Sequence, residues 1–339
     1  MRVAHLAGLA ADRGAETFAG DLAKALSALG TTQLIGYGEK PFAALRAWHP
    51  DVIQAHGGGT LTRAVMASID SRVHARLVYR RIGSVHHLVR QFERRAAYGW
   101  LMRRADCVVA VSDVVRRETI EFFRLRPERV VTIPNGVDPD RLVPSVGREA
   151  MRDALGIPIG APVVLSLGAL TWEKDPLAHL EVAVQVLREV PNVVHLFAGD
   201  GPLRERLEYT ILEQGLTRSI QVLGSRPDVG DLLAASDMML LASRTEGMPG
   251  CLIEAGMVGL PVAAYAVAGV PEVVEDGATG LLVSPGDVGE LGRSVVKLMR
   301  NAELQRSMGA AAAVRCCDQF NIRLIATRYL RLYERLTRE

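Results

Sequence analysis

Glu246 and Glu254 stand eight positions apart, separated by Gly247, Met248, Pro249, Gly250 and the apolar run that starts at Cys251. Glycine and proline in succession do not continue a helix. The run therefore predicts a loop that carries Glu246 and then feeds a helix, with Glu254 about one turn in. A helix start presents backbone N–H groups without intrahelical partners and the positive end of the helix dipole, which suits a phosphate or pyrophosphate. An ionised carboxylate only accepts hydrogen bonds, so glutamates flanking that anion site suit the hydroxyls of a sugar and a ribose. The ligand this arrangement predicts is a nucleotide sugar, with Glu246, Gly247, Met248, Gly250, Cys251, Leu252 and Glu254 as its contacts. Two glutamates at this spacing also occur on ordinary solvated helix faces, and the surrounding residues decide between the two readings.

They do so by their order. EGMP, CLIEAG, GLPV, AGVPEVVEDG and TGLLVSPGD follow one another between Glu246 and Asp287. This succession, with its E-x7-E pair and the turn Gly269-Val270-Pro271-Glu272, resembles the signature of the retaining glycosyltransferases of family 4, the group 1 enzymes. The resemblance implies an α/β chain of the GT-B fold: two Rossmann-like, doubly wound domains with an interdomain cleft and a C-terminal crossover helix. It implies transfer of a sugar from a nucleoside diphosphate sugar, UDP- or GDP-linked, to an acceptor hydroxyl with retention of configuration. No metal and no cofactor beyond the co-substrate is expected, and the acceptor expected is a glycan or a lipid-linked molecule in glycan, polysaccharide or glycolipid synthesis. By the same resemblance Glu254 holds the ribose hydroxyls, while Glu246 with Gly247 and Met248 orients the donor sugar.

A second cluster follows the strand candidate Pro162–Leu167 and reads Gly168-Ala169-Leu170-Thr171-Trp172-Glu173-Lys174-Asp175. The family carries an arginine directly after this glycine and a lysine five residues later, both on the donor pyrophosphate. Lys174 matches the second, whereas Ala169 occupies the first, so one cation of the leaving-group site is missing. Arg226 and Arg244 are the candidate substitutes, and Arg226 also resembles a residue beside the nucleobase. Gly199 and Gly201, in AGDGPLRERL, match a glycine turn of the family and read as structural.

Four further candidates lie in the first half. Gly14 ends the loop after the first strand candidate, where glycine lets a ligand approach the backbone closely or simply makes a turn. His56 stands at the carboxyl end of a strand candidate, where open α/β sheets bind ligands; it reads equally as a histidine of a buried loop. The family places another histidine on the next strand, but here Arg80, Arg81, Ile82 and Gly83 occupy that turn, with His86 and His87 beyond it. Arg81 is the candidate there for a phosphate or an anionic acceptor. Asp138-Pro139-Asp140 spells D-x-D, a metal motif in another glycosyltransferase fold, but the proline and the connecting position argue against a metal.

The elements that must position these residues follow from hydrophobic spacing. Strand candidates are 2–7, 32–37, 51–55, 75–80, 105–111 and 129–133, then 162–167, 193–198, 219–223, 238–241 and 262–265, alternating with helical runs as in two parallel sheets. At 339 residues, about two domains are expected. The division predicted is 1–145 for the acceptor domain, 146–160 for a linker, 161–318 for the nucleotide-sugar domain and 319–339 for a helix returning to the first. Its apolar spacing runs through Ile325, Tyr329, Leu332 and Leu336.

Composition bounds the partners. The first 145 residues carry 21 Lys/Arg against 14 Asp/Glu, and the remainder 19 against 24. Nine of those arginines fall between Arg72 and Arg104, which is either a solvated face or a docking surface for anionic lipid or for an acidic acceptor. Nucleic acid is disfavoured, since aromatics make up 5% and no reading motif is present. No signal peptide or spanning segment is evident, and Cys107, Cys251, Cys316 and Cys317 lack metal spacing. A cytoplasmic protein is expected, with peripheral attachment at the inner membrane face as the alternative to a freely diffusing one. Three other activities share parts of this pattern: a nucleotide-sugar epimerase or hydrolase, a weakened nucleotide-sugar-binding scaffold and, least well matched, a dinucleotide oxidoreductase.

Overall fold

Runs rich in Val, Ile, Leu and Ala suit the inside of a parallel sheet, which is covered on both faces. The computed structural model, which describes residues 1–8, 14–35, 41–70, 72–83, 85 and 92–338, assembles such runs into two six-stranded parallel sheets among the described residues. Contacts divide the chain into one unit of Met1–Val137 with Phe320–Glu339, and another of Asp138–Gln319.

The first unit alternates β1 (Arg2–Leu6), α1 (Gly14–Ser27), β2 (Thr31–Ile35), α2 (Pro41–Trp48), β3 (Val52–His56), α3 (Gly58–Ser68), β4 (Arg76–Arg81), α4 (Phe92–Arg104), β5 (Cys107–Ala110), α5 (Asp113–Phe123) and β6 (Val130–Thr132). Its strands lie in the order β2-β1-β3-β4-β5-β6. The order reverses at β1, as in a doubly wound sheet. Ser112 caps α5 by accepting the Val115 N–H at 3.2 Å. His86, His87 and Arg90 lie outside the described residues.

The second unit runs α6 (Arg148–Ala154), β7 (Val163–Leu167), α7 (Pro176–Glu189), β8 (Val194–Ala198), α8 (Arg204–Glu213), β9 (Ile220–Gly224), α9 (Val229–Ala235), β10 (Met238–Leu241), α10 (Gly250–Met257), β11 (Val262–Tyr265), α11 (Val270–Val273), β12 (Gly280–Val283), α12 (Val288–Met299) and α13 (Ala302–Phe320). Strand order is β12-β11-β10-β7-β8-β9. Two elements differ from expectation. Residues 146–160 are not a bare connection but contain α6, docked within the second unit: Arg152 meets the Asp237 carboxylate at 2.9 Å and Arg148 donates to the carbonyls of Ala234 and Ser236 at 2.8 Å. The division accordingly falls at Val137/Asp138, ahead of residue 145. β12 was not among the strand candidates because it opens on Gly280; a Cβ there would stand 2.7 Å from the Val262 carbonyl oxygen, so the strand pairing itself requires glycine.

The last helix, α14 (Ile322–Arg338), belongs to the first unit. It buries Ile322, Ile325, Ala326, Tyr329, Leu332, Tyr333 and Leu336 in one cluster with Val3, Phe18, Leu22 and Val78. Beside that cluster lies a polar core. His5 Nδ1 and His56 Nε2 are 2.9 Å apart, their rings stacked at 5.2 Å. Arg80, 1% exposed, lies over the Phe18 ring at 3.7 Å and donates to Asn135. The Tyr333 hydroxyl donates to Gln54 Oε1 at 2.9 Å. Among the described residues no helix is long and apolar enough to cross a membrane.

Among the described residues four histidines are buried, and none of them has an ionised hydrogen-bond acceptor. Burial lowers His5 and His195 to about 3 and His179 to about 4 from 6.5. Burial, then the charges of His5 and Arg80, holds His56 well below that value. The unfolded chain takes up protons at these rings below pH 6.5, whereas the folded chain does so only near pH 4 at His179, near pH 3 at His5 and His195, and well below 6.5 at His56. Stability is therefore complete above pH 6.5 and falls with pH, by about 1 kcal/mol per histidine between pH 7 and 5.5. Urea unfolding across that range is expected to show a loss of several kcal/mol; a flat profile would contradict the neutral, buried assignment.

Candidate functional site

The site is built where β7 and β10 end. After β7 the chain turns through Gly168 and reaches Asp175, which has a left-handed φ of 47° and caps α7 by accepting the Ala178 N–H at 3.3 Å. Two close backbone approaches hold this loop. The Gly168 N–H donates to the Ala198 carbonyl at 2.9 Å and the Leu170 N–H to the Asp200 carbonyl at 3.0 Å. A Cβ on Gly199 would stand 1.9 Å from the Gly168 carbonyl oxygen, and one on Gly201 2.6 Å from that of Leu170. The glycine turn after β8 thus positions the lysine loop.

The loop after β10 is tied to the same segment. The Arg244 N–H donates to the Glu173 carbonyl at 2.8 Å, and the Arg244 guanidinium meets Asp175 Oδ2 at 2.7 Å. Lys174 Nζ meets Glu246 Oε1 at 2.6 Å, with the glutamate side chain 7% and the lysine 28% exposed. Burial is the largest single influence and pulls the Lys174 ammonium down, but the Glu246 carboxylate acting together with Cys251 and Glu173 outweighs it, so its pKa is raised. Beneath the pair, His179 Nδ1 lies 2.9 Å from the Asp175 carbonyl oxygen and its Nε2 accepts the Ala242 N–H at 3.0 Å. That pattern places the imidazole proton on Nδ1. A cavity of about 20 Å³, room for one water, lies between Ser166, Gly168, Ala169, Lys174, His179 and Phe197.

The helix expected after the glutamate loop is α10. Met248 and Leu252 are buried, whereas Gly250, Cys251 and Glu254 are half-buried. Burial pushes the Cys251 thiol up to about 12, so it stays protonated at neutral pH. Glu254 is the fifth residue of α10, and Arg141 Nη2 lies 3.6 Å from its Oε1. Arg141 was not among the sequence candidates. It belongs to a 3-10 turn, Pro139–Leu142, which Asp138 caps by accepting the Asp140 N–H at 3.1 Å. The turn sits close to α9 because Gly230 has no side chain; a Cβ there would be 2.7 Å from the Leu142 carbonyl oxygen. The D-x-D segment is a turn that presents an arginine.

Both substitutes proposed for the cation missing at Ala169 have carboxylate partners. Arg226 Nε donates to Asp228 at 2.7 Å, and hydrogen bonding to Asp228 raises its pKa. Arg244 holds Asp175. Ala169 itself is exposed. In the first unit, His56 closes β3 inside the buried cluster with His5, and Arg81, 8% exposed, lies 6.0 Å from the Phe123 ring. Gly14 opens α1, and none of the described residues lies within 4 Å of where its Cβ would stand. Among the described residues no group of three His, Cys, Asp or Glu side chains is arranged to hold a metal ion.

Comparison with known proteins gives the family and the fold. The family described as glycosyl transferases group 1 matches residues 147–315, and the one described as Glycosyltransferase Family 4 matches 33–141. A 2-deoxystreptamine glucosyltransferase of Streptomyces kanamyceticus is 30% identical over 312 residues, covering 86% of this chain and 79% of its own. A 2-deoxystreptamine N-acetyl-D-glucosaminyltransferase of Streptomyces fradiae is 29% identical over 304 residues, covering 83% and 72%. Among solved structures, Anabaena HepE in complex with UDP-glucose superposes with a TM-score of 0.85 over 98% of this chain and 99% of its own, at 22% identity. At that identity the likeness is one of fold.

The glycines separate by what they touch. Gly199→Ala and Gly201→Ala are expected to destabilise the chain by roughly 1–3 kcal/mol, since overpacking forces the backbone apart, and to displace Lys174. Gly250→Ala, with no described residue within 4 Å, is expected to leave stability within about 1 kcal/mol. Urea midpoints for the three variants test this, and equal midpoints would refute it.

Proposed function

We propose, from the premise that this chain belongs to the group 1 glycosyltransferases of glycosyltransferase family 4, that it moves a sugar from a nucleoside diphosphate sugar, with UDP as the nucleotide, to a hydroxyl of a cyclic polyol, and that it does so with retention. The observation that carries the reading is the joined pair of loops after β7 and β10, which sets Lys174 against Glu246 at 2.6 Å beside the start of α10. The nucleotide is inferred from the solved relative that holds UDP-glucose. The acceptor class is inferred from the names of the two Streptomyces relatives, both of which act on 2-deoxystreptamine.

In this reading the diphosphate lies against the first turn of α10, whose N–H groups have no intrahelical partners. Lys174 shares its charge between Glu246 and the phosphate and so stabilises the departing diphosphate. Glu254, beside Arg141, accepts the ribose hydroxyls. The bond from the anomeric carbon to the diphosphate breaks, and the acceptor oxygen forms its bond on the same face. The acceptor proton passes to a phosphate oxygen of the leaving group. His179 is neutral and engaged at both nitrogens, so it positions the loop and does not carry that proton.

A peripheral membrane contact through the first unit is a further part of this reading. Trp100 is 50% exposed with the Arg104 guanidinium 4.7 Å over its ring, a pairing of apolar and cationic groups suited to an anionic lipid surface. Sedimentation with phosphatidylserine vesicles tests it, and no preference over neutral vesicles would end it.

Titration calorimetry in EDTA with UDP, GDP, ADP and NAD is expected to show binding of UDP alone. Glu254→Ala is expected to weaken that binding about tenfold or more, near 1.4 kcal/mol. Lys174→Ala is expected to lower kcat by roughly 100- to 1,000-fold, the cost of losing a charge stabiliser, with a smaller change in UDP affinity. Unchanged binding and turnover in both variants would reject the site.

A further inference from the structure

Trp172 is one of three tryptophans in the chain and lies two residues before Lys174. It is 57% exposed although its loop is otherwise tied down. The Arg244 guanidinium stands 5.3 Å from the indole centroid, and the same arginine is anchored by its Asp175 ion pair at 2.7 Å and by its N–H on the Glu173 carbonyl at 2.8 Å. Backbone hydrogen bonds from Thr171 to Ala169 at 2.9 Å and from Asp175 to Thr171 at 3.0 Å hold the turn on either side. The indole is therefore a fixed, half-open apolar surface, not a side chain that solvent could fold away. Exposed aromatic surface held in place costs hydration free energy and marks contact sites when it borders a functional centre.

Its position gives the occupant. Glu254 marks the nucleoside end of the donor and Glu246 the sugar end. Trp172 is joined to the sugar end, through Arg244 two residues before Glu246 and through Lys174 two residues after itself. A ring whose substituents are all equatorial, as in 2-deoxystreptamine or a glucose-type pyranose, presents axial C–H groups as an apolar face, while its hydroxyl and amino groups point outward at the rim. Such a ring fits an exposed indole plane. A nucleobase is the competing aromatic partner, but it belongs at the Glu254 end. We propose that Trp172 is the stacking platform for the acceptor ring and a determinant of acceptor choice, an inference that rests on the glycosyltransferase reading above.

The test uses the full chain carrying Trp48→Phe and Trp100→Phe, so that Trp172 alone emits, saturated with UDP and titrated with 2-deoxystreptamine, N-acetylglucosamine, myo-inositol and the open-chain polyol sorbitol. Saturable change of emission with at least one ring compound and none with sorbitol is expected. In the otherwise unchanged chain, Trp172→Ala is expected to raise KM for that compound at least tenfold while the UDP dissociation constant moves less than threefold, and Trp172→Phe to recover most of the loss. Bound UDP with no response to any ring compound, or an acceptor KM that Trp172→Ala leaves within twofold, would overturn the proposal. Failure of UDP to bind at all would instead remove the glycosyltransferase reading, and this inference with it.

Discussion

The ion pair between Lys174 and Glu246 holds together two loops that the chain separates by 72 residues. A carboxylate that is 7% exposed needs a cation and hydrogen bonds to stay charged, and removing one partner of such a pair leaves the other buried and uncompensated. The surrounding geometry serves this constraint. Gly199 and Gly201 bring one loop close to β8, Asp175 turns it into α7, and Arg244 fastens it to the loop after β10. His179 locks the floor through both ring nitrogens. The site is preorganised because its charges are already satisfied by each other, and a ligand anion competes for a cation that is held in place.

The same principle runs through the first unit with another outcome. There the buried charge is Arg80, whose pKa burial lowers to about 10 despite the neighbouring Tyr329 hydroxyl. It sits on Phe18 and beside Asn135, in the layer where α14 closes over the sheet. His5 and His56 complete this layer as neutral rings. Polar side chains at the carboxyl end of these strands thus secure the return of the chain's last helix, and the fold's stability depends on their protonation.

Much of the site could be read from residue order because its parts are local. Loop, helix start and E-x7-E spacing all lie within Glu246–Glu254, and glycine and proline announce the change from loop to helix without reference to anything distant. The apolar strand runs were legible for the same reason, as was the i, i+3, i+4 stripe of α14. What failed to register had weak local signals. β12 starts on a glycine required by its neighbour, and α6 is a helix of seven residues among prolines and glycines, too short for periodicity to speak.

By itself, then, the sequence determined the fold class, the family and the loops that bear the candidate chemistry, because these follow from spacing within short segments. Only the tertiary structure decided which charges meet. It paired Lys174 with Glu246, set Arg141 beside Glu254, gave Arg226 to Asp228 and Arg244 to Asp175, and stacked His56 on His5 inside the core. Such pairings depend on which strand ends lie side by side and how closely their backbones approach. A side chain's type shows what it can bond to, but its partner is chosen by packing between residues tens of positions apart.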